Sequence, residues 1–340
     1  MKSELVHEIR EVPVLLITFN RPTKTRQMIS ALRDVRPKQL FVAADGPRPD
    51  KPDDAKGCAE SRKALDEIDW PCTVHRLFQD TNLGCKRGPE TAITWFFSQV
   101  LAGIILEDDC VPTADFFPYC AELLERFSDN ERVMMISGWN ALGTWSGTTA
   151  SYVFSRTAPA WGWATWRRAW QHYDPDMTAW TSSEAQHAVR SRMPAAEFRM
   201  TRRRFDQVHS GELDAWDYAW LFAVLRTGGM SAIPAQNTIR NVGFDKEATH
   251  TTNPWSPDAR IPTARMTFPL SHPVEIKASK QHEDALFRRR FSRSRRVMSM
   301  LPYSVELRIR EAVHRVALRA SRPNDPTPPL ETASRGSEHE

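Results

Sequence analysis

Three consecutive carboxylates, Glu107, Asp108 and Asp109, directly follow the short apolar run at residues 104–106. Adjacent carboxylates repel one another, so such a triplet is costly unless a cation lies among them. Oxygen ligands of this kind suit Mg²⁺ or Mn²⁺, which commonly retain waters and complete their coordination with substrate phosphates. The triplet therefore indicates a divalent-metal site that would offset negative charge on a phosphate group. A solvated acidic turn is the simpler alternative.

Other polar residues follow three further apolar runs and are candidates for binding a phosphate or a nucleotide. Asp45 precedes Gly46 and could accept a hydrogen bond from a base, although an Asp-Gly pair is also a common turn. Asn82, Leu83 and Gly84 could present amides to a phosphate, although the same residues could simply begin a helix. The candidate binding residues outside the acidic triplet are Thr18, Asn20, Arg21, Asp45, Asn82, Gly84 and Lys86.

Apolar runs and helical periods alternate along the first part of the chain. Short apolar runs predict strands at residues 13–19, 39–44, 103–106 and 133–137, and further strands are predicted at 73–78 and near 230–233. Helical spacing predicts helices at residues 23–33, 59–68, 87–100 and 218–226. Because strands that alternate with helices pair in parallel, the pattern predicts an α/β fold with a mostly parallel, Rossmann-like sheet flanked by helices. Ligands of such sheets collect outside the carboxyl ends of the strands, where the candidate residues lie.

Length and composition are typical of one large globular domain with appendages. The 340 residues are 41% hydrophobic and 26% charged, which argues against a mostly disordered, fibrous or membrane-embedded chain. We predict a main α/β domain at residues 1–275, a basic helical appendage at 276–320 and a disordered tail at 321–340. The formal net charge of +4 is small for this length and gives no general case for a nucleic-acid partner.

Cysteine usage and hydropathy predict a cytoplasmic protein. The five cysteines form no CxxC pair and no zinc-type spacing with histidine, so reduced thiols are the simplest interpretation. The sequence has no stretch of the ~20 apolar residues needed to span a bilayer, and its first 20 residues lack the apolar core of a signal peptide. The basic stretch at 281–320 could lie on the inner face of a membrane, or pack on the main domain with a solvated basic face.

Three segments carry a resemblance to a known family. The segment LEDDCVPTADFFPYCAELLERF contains the acidic triplet, APAWGWATW spans residues 158–166, and WDYAW spans residues 216–220. Together they resemble the GT-A glycosyltransferases, specifically the branch around N-acetylglucosaminyltransferase I. The first is similar to that family's strand, acidic motif and following helix, the second to its Gly-Trp acceptor-side segment, and the third to its Trp-Asp-Asp-Trp element. The resemblance extends over residues 13–250.

The resemblance implies roles for the acidic residues and a reaction. Asp109 would contact the metal, Mn²⁺ or Mg²⁺. Glu107 and Asp108 would approach the ribose and the donor sugar, and Asp45 would hold the base. The implied reaction is transfer of a sugar from a nucleotide diphosphate, with UDP as the nucleotide, to an acceptor hydroxyl on a glycan or a lipid-linked saccharide.

A carboxylate base is needed for such a transfer with inversion. The acceptor hydroxyl must lose its proton as it attacks the anomeric carbon from the face opposite the leaving diphosphate. The resemblance assigns this role to Asp217, although Tyr218 follows it here and the spacing departs from the family's element. Asp214 and Glu212 are nearby substitutes. Asp217 could instead cap a helix that begins at Tyr218.

Aromatic residues and one histidine are further candidates. Seven tryptophans lie between residues 139 and 180, where indole rings could stack on sugars or pack in the core. We expect Trp161 and Trp163, beside Gly162, to face the acceptor. His250 lies in a polar segment and could reach the diphosphate or the metal, whereas a solvent-exposed histidine is the simpler interpretation.

The sequence therefore predicts a metal-dependent, inverting glycosyltransferase that acts on a nucleotide sugar. A protein that binds nucleotide sugars without turnover is an alternative, because WDYAW departs from the family's element. A sugar nucleotidyltransferase would share the fold, but its Gly-rich N-terminal signature is missing from the sequence. A basic nucleic-acid binder would leave the acidic triplet unexplained.

Overall fold

The computed structural model of the protein describes residues 9–244 and 256–290. These residues belong to one compact unit, which ends at Arg290. Among them, no helix combines the length and the apolar character that a membrane crossing requires. His250, the predicted helical residues beyond 290 and the predicted disordered tail at 321–340 lie outside the described residues.

A mixed eight-stranded sheet forms the centre of this unit, and a small two-stranded sheet accompanies it. The strands are β1 Val14–Thr18, β2 Gln39–Ala44, β3 Thr73–Phe78, β4 Ala102–Glu107, β5 Cys110–Pro112, β6 Val133–Ser137, β7 Tyr152–Ser155, β8 Trp163–Trp166, β9 Met230–Pro234 and β10 Ile239–Asn241. The order in the large sheet is β3-β2-β1-β4-β8-β6-β9-β7, and β5 pairs with β10 in the small one.

The first four strands pair in parallel and contain a reversal of direction. The chain runs outward from β1 to β2 to β3 and then crosses back, so that β4 lies on the opposite side of β1. Such a reversal is a topological switch point, where a crevice opens beyond the carboxyl ends of the two adjacent strands. Strand β8 is antiparallel to both of its neighbours, β4 and β6.

Helices cover both faces of the sheet, which is why its central strands are apolar along their whole length. The helices are α1 Pro22–Arg33, α2 Pro52–Lys63, α3 Gly84–Gln99, α4 Phe116–Arg126, α5 Arg167–Trp170, α6 Ser183–Arg190, α7 Ala195–His209, α8 Trp216–Thr227 and α9 Lys280–Arg290. Alternate residues of β1 point to opposite faces. Val14 and Leu16 pack in one apolar cluster with α1 and α4, and Leu15 packs in a second cluster with α3 and α8.

A third apolar cluster lies among the helices between residues 177 and 227, which we call the helical layer. Helix α8 joins the helical layer to the sheet because it buries apolar residues on two sides. Trp216 and Trp220 belong to the second sheet cluster, whereas Ala219 and Phe222 belong to the third cluster. A helix that is apolar on all sides is expected where it is covered on all sides.

The α/β class is confirmed, and the large mixed sheet flanked by helices is consistent with a Rossmann-like fold. The strands predicted at 39–44, 73–78 and 133–137 have the observed bounds. The helix predicted from residue 59 begins at Pro52, because a proline and two acidic residues form its first turn and that turn has no apolar period. Strands β5, β7, β8 and β10 were not predicted, since each has only three or four residues.

Helix α9 falls within the segment predicted as an appendage at 276–320. His282 on this helix is fully buried. Glu283 accepts hydrogen bonds from the backbone N–H of Arg156 and from its guanidinium, at the end of β7. Of the two alternatives for the basic segment, packing on the α/β domain therefore describes residues 280–290.

Candidate functional site

The acidic triplet lies at the switch point between β1 and β4. Ile17 pairs with Glu107 in the parallel ladder, and the N–H of Asp108 donates to the carbonyl oxygen of Ile17 at 3.0 Å. The chain beyond β1 reaches Arg21 at the first turn of α1, directly opposite the acids. The parallel pairing of two short strands thus brings together residues that are more than eighty positions apart.

Arg21 forms the central contact of this site. Its guanidinium lies 3.3 Å from Asp108 Oδ2 through Nε and 3.1 Å from Asp109 Oδ2 through Nη1, and its Nη2 donates to Asp108 Oδ1. The side chains of Arg21, Asp108 and Asp109 are 15%, 1% and 16% exposed, respectively. Burial alone lowers the pKa of the guanidinium, but the two carboxylates outweigh that effect and leave it raised.

Negative charge exceeds positive charge at this end of β4. Burial, together with repulsion by Asp109 and Asp108, raises the pKa of Glu107 to about 8. Burial and repulsion by Asp109 raise the pKa of Asp108 to about 6, although Arg21 opposes the shift. The acids repel one another despite the guanidinium among them, so an added cation would stabilise their charged forms.

Asp109 is the more exposed of the two carboxylates that contact Arg21. Its Oδ2 accepts from Arg21, and its Oδ1 is contacted by the thiol of Cys110 at a sulfur–oxygen distance of 3.4 Å. Within residues 9–244 and 256–290, no cluster of three or more His, Cys, Asp or Glu side chains could by itself hold a metal. Mg²⁺ is often bound through one or two carboxylates and substrate phosphates, so a single ligand from the chain fits this cation.

The end of β10 covers Asp109 from the opposite side. The N–H of Val242 donates to the carbonyl oxygen of Asp109 at 2.8 Å, and the N–H of Gly243 donates to Asn241 Oδ1 at 2.7 Å. A Cβ atom placed on Gly243 would lie 2.3 Å from Asp109 Oδ2, which is closer than any real contact. A larger residue at this position would therefore have to displace the Asp109 carboxylate.

The candidate residues after β1 are turned partly into the protein. The hydroxyl of Thr18 is buried and shares a 2.8 Å hydrogen bond with Thr25. The amide of Asn20 donates to Asp54 Oδ1 at 2.6 Å, and Asp54 also accepts from Arg48 at 2.6 Å. Asn20 thus fixes the turn after β1 against α2, and Arg21 is the residue of this group that reaches the acids.

Asp45, Asn82 and Gly84 form a second group at the ends of β2 and β3. Asp45 accepts hydrogen bonds from the side chain of Asn82 at 2.9 Å and from the N–H of Leu83 at 2.9 Å. Gly84 begins α3 with a φ of +83°, in the left-handed region that favours glycine, and Asp214 lies beside it. Burial raises the pKa of Asp45, and the hydrogen bonds from the backbone oppose that shift.

Lys86 and Asp217 lie on helices that face the crevice. The ammonium of Lys86 is 3.6 Å from Asp176 Oδ1, and the side chain of Lys86 is 16% exposed. Asp217 lies in the first turn of α8 and is exposed. The negative charge of Asp217 makes a minor contribution to the raised pKa of Glu107, so the two carboxylates are close enough to repel each other.

The alternative role of Asp217 as a helix cap is wrong. Helix α8 begins at Trp216, two residues earlier than Tyr218 predicted, and its N-cap is Ala215 without a capping side chain. Asp217 is therefore a residue of the first turn, where a carboxylate is stabilised by the helix dipole.

Five of the seven tryptophans between residues 139 and 180 are buried, whereas Trp145 and Trp161 are partly exposed. Trp163 is completely buried and stacks on Trp216 with ring centroids 5.8 Å apart, so the prediction that it faces an acceptor is wrong. Trp161 is half-buried and packs edge-on against Trp139 and Phe244, at centroid distances of 4.6 and 5.9 Å. The two side chains differ because β8 begins at Trp163 and points it into the second sheet cluster.

Two residues of this region were missed in the sequence. Lys24, on the buried side of α1, lowers the pKa of Asp108 through its positive charge. Tyr173 stacks on Trp170 with centroids 4.2 Å apart, and burial together with Glu90 and Asp217 raises its pKa. The spacing of Lys24 three residues after Arg21 could have revealed the first, because residues three apart share a helix face. Tyr173 carries no such local signal.

Comparisons with known protein families and with curated proteins found no match.

Proposed function

We propose that the protein is an inverting GT-A glycosyltransferase, which moves a sugar from a nucleotide diphosphate to an acceptor hydroxyl on a glycan or lipid-linked saccharide. The observation that supports the proposal is the acidic end of β4 held by Arg21 at the switch point, with Asp217 close enough for its charge to raise the pKa of Glu107. The acids and Arg21 are suited to bind a diphosphate and its cation, and Asp217 is suited to accept a proton. The resemblance of the acidic segment to GT-A enzymes supports the same function and favours UDP as the nucleotide.

The metal is assigned to Asp109 in this proposal. Asp109 would hold Mg²⁺ or Mn²⁺ together with donor phosphates, and the cation when bound supplies positive charge that stabilises the leaving diphosphate. Arg21 holds Asp108 and Asp109 in fixed positions through its bidentate contacts, so the ligand is oriented before the donor arrives. The deficit of positive charge around Glu107 is the observation that favours a cation here.

The chemical step requires little more than orientation and one base. The acceptor oxygen forms a bond to the anomeric carbon as the bond from that carbon to the diphosphate oxygen breaks. The configuration at the anomeric carbon is thereby inverted. Asp217 takes the proton of the acceptor hydroxyl. Its exposed position in the first turn of α8 leaves it accessible from the crevice, and Asp214, beside Gly84, is the nearest substitute.

Transfer and donor binding can be separated with two variants. We expect Asp217→Asn to keep the rise in unfolding midpoint caused by UDP with Mn²⁺, but to lose ~10²- to 10⁴-fold in transfer of labelled sugar, because the base is lost. We expect Asp109→Asn to lose the metal-dependent part of that rise. Thermal shift and transfer from labelled UDP-sugars to a panel of acceptors measure the two effects.

Asp129→Asn is the matched control, because Asp129 is an exposed acid that precedes β6 at the opposite end of the sheet. It should leave both readouts unchanged. Full transfer by Asp109→Asn in the presence of a chelator would contradict the metal assignment, and full transfer by Asp217→Asn would contradict the choice of base.

Binding of nucleotide sugars without turnover is the second candidate. Arg21 already neutralises part of the acidic cluster, and this internal ion pair favours a site that persists without an added cation. Donor binding that is unaffected by chelators, with no transfer to any acceptor, would support this function over the transferase.

A further inference from the structure

The carboxylate of Asp45 is enclosed by hydrogen bonds from its own chain. Its Oδ1 accepts from the N–H of Gly46 at 2.8 Å and from the N–H of Leu83 at 2.9 Å. Its Oδ2 accepts from Asn82 Nδ2 at 2.9 Å and from the same Leu83 N–H at 3.2 Å. A carboxylate has about four acceptor positions. Three N–H donors already contact these positions, one of them shared by both oxygens, so a base N–H would compete with contacts that are already made.

The backbone around Asp45 is closely packed, although the residue itself is only partly buried. A Cβ atom on Gly46 would lie 2.5 Å from the backbone of Thr81, so the turns after β2 and β3 are pressed together. A Cβ atom on Gly88 would lie 3.3 Å from Asp45 Oδ2, which places the backbone of α3 against the carboxylate. Arg62 adds hydrogen bonds to the carbonyl oxygens of Asp45 and Gln79, at 3.3 and 2.5 Å.

We propose that Asp45 is a positioning residue, which ties the turn after β2 to the entrance of α3 and makes no contact with the donor base. Its contacts fix where α3 begins, and hence where Gly84 and Lys86 lie at the crevice. The part of this inference that concerns the donor rests on the proposed function. The part that concerns the tie between the two turns rests on the hydrogen bonds alone.

A charge swap tests the tie directly. In Asp45→Asn, an amide NH₂ group replaces the carboxylate oxygen that accepts a hydrogen bond from Asn82 Nδ2, so two donors face each other. We expect a fall of roughly 3 to 8 °C in the unfolding midpoint. Adding Asn82→Asp supplies the missing acceptor while its oxygen still accepts from the N–H of Gly84, and the double variant should recover most of the loss. Asn82→Ala, which removes one side chain of the group, is a milder variant if Asp45→Asn folds poorly.

Donor selectivity is the readout that a purely structural change should not move. Calorimetric titration with UDP, CDP and GDP in the presence of Mn²⁺ should show the three affinities of Asp45→Asn lowered by a common factor, with recovery in the double variant. Asp50→Asn, an exposed acid in the same turn region, is the control and should change neither midpoint nor affinity.

The outcomes separate the two proposals. An unchanged midpoint in Asp45→Asn, a loss of affinity confined to one base, or no recovery in the double variant would overturn the role of Asp45. Absence of nucleotide binding by the unaltered protein would instead count against the glycosyltransferase, and the midpoints would still decide whether Asp45 ties the two turns.

Discussion

At the residue scale, Arg21 holds together a group that would otherwise repel itself. Asp108 is almost fully buried, and its two oxygens contact the same guanidinium. Removal of one partner from a buried ion pair leaves an uncompensated charge, which is far more costly than loss of an exposed pair. The stability of the protein therefore depends on a residue that also faces the candidate site.

We expect Arg21→Met to reduce the free energy of unfolding by ~3–5 kcal/mol, because Asp108 loses its principal counter-charge. Mg²⁺ should restore part of this loss and stabilise the variant more than the unaltered protein, since the acids then lack a cation. Urea unfolding with EDTA and with Mg²⁺ measures both effects.

Arg26→Met is the matched control on the same helix. Arg26 pairs with Glu67 at 2.8 Å, and both side chains are nearly half exposed. Exposed pairs contribute little, so its loss should cost less than ~1 kcal/mol. Equal losses in the two variants would show that Arg21 has no special part in the acidic cluster.

At the scale of elements, α9 is fastened to the sheet edge by one charged contact and one neutral one. Glu283 pairs with Arg156, and the imidazole of His282 packs edge-on against Trp145 with centroids 5.2 Å apart. Neither ring nitrogen of His282 finds a hydrogen-bond partner among the described residues. Burial lowers the pKa of His282 to about 4, although Glu283 opposes the shift.

The sign of the pH effect follows from this lowered pKa. An unfolded chain binds the proton at the ordinary value near 6.5, whereas the folded protein binds it only near 4. The contribution of neutral His282 to stability is thus complete above pH 6.5 and is lost as the pH falls toward 4, by up to ~3 kcal/mol.

We expect His282→Leu to flatten the dependence of unfolding free energy on pH between 4 and 6.5, without loss of stability at pH 7. Urea unfolding across this range measures it. His187→Gln, on the exposed side of α6, should retain the dependence. If the unfolding free energy of His282→Leu depended on pH as steeply as that of the unaltered protein, groups other than His282 would cause the pH dependence.

At the scale of the whole molecule, the helical layer has a core of its own. Phe205 is completely buried and packs edge-on against Trp180 and Phe222, with centroids 5.1 and 5.6 Å away. Regions with separate cores often open separately, as cooperative units less stable than the whole. The helical layer meets the sheet through α8.

We expect Phe205→Ala, at a cost of ~3–5 kcal/mol, to speed amide exchange in α6 and α7 more than in β1 and β4. Hydrogen exchange followed by mass spectrometry measures the two regions in one experiment. Phe116→Ala, an equally buried residue of the first sheet cluster, should speed exchange in the sheet. A uniform change in Phe205→Ala would mean that sheet and helical layer unfold together.

The sequence predicts the parallel half of the molecule well and the rest poorly, for a physical reason. Strands β1, β2 and β4 are largely buried, so they appear as continuous apolar runs separated by clear helical periods, whereas β3 lies at the sheet edge and is only partly buried. Helix α7 is rich in arginine and buries few apolar side chains, and β7 and β8 are four-residue strands that only tertiary pairing defines. Local patterns could not reveal them.

The same limit applies to the candidate site. The acidic triplet could be predicted to lie at a strand end, because a run of apolar residues leads into it. The contact of Arg21 with two of the acids depends on the pairing of β1 with β4, and the hydrogen bonds from residues 82 and 83 to Asp45 depend on the approach of two turns. Such contacts join distant parts of the chain and have no local signature.

The placement of β4 has a consequence for how the protein could evolve. This strand has β1 on one side and β8 on the other, and Gly243 abuts its acidic end, so the strand that carries the acids has little room to shift within the sheet. Under the proposed function, new donor or acceptor preferences would have to arise in the loops and in the helical layer, while the strand with its acids stays in place.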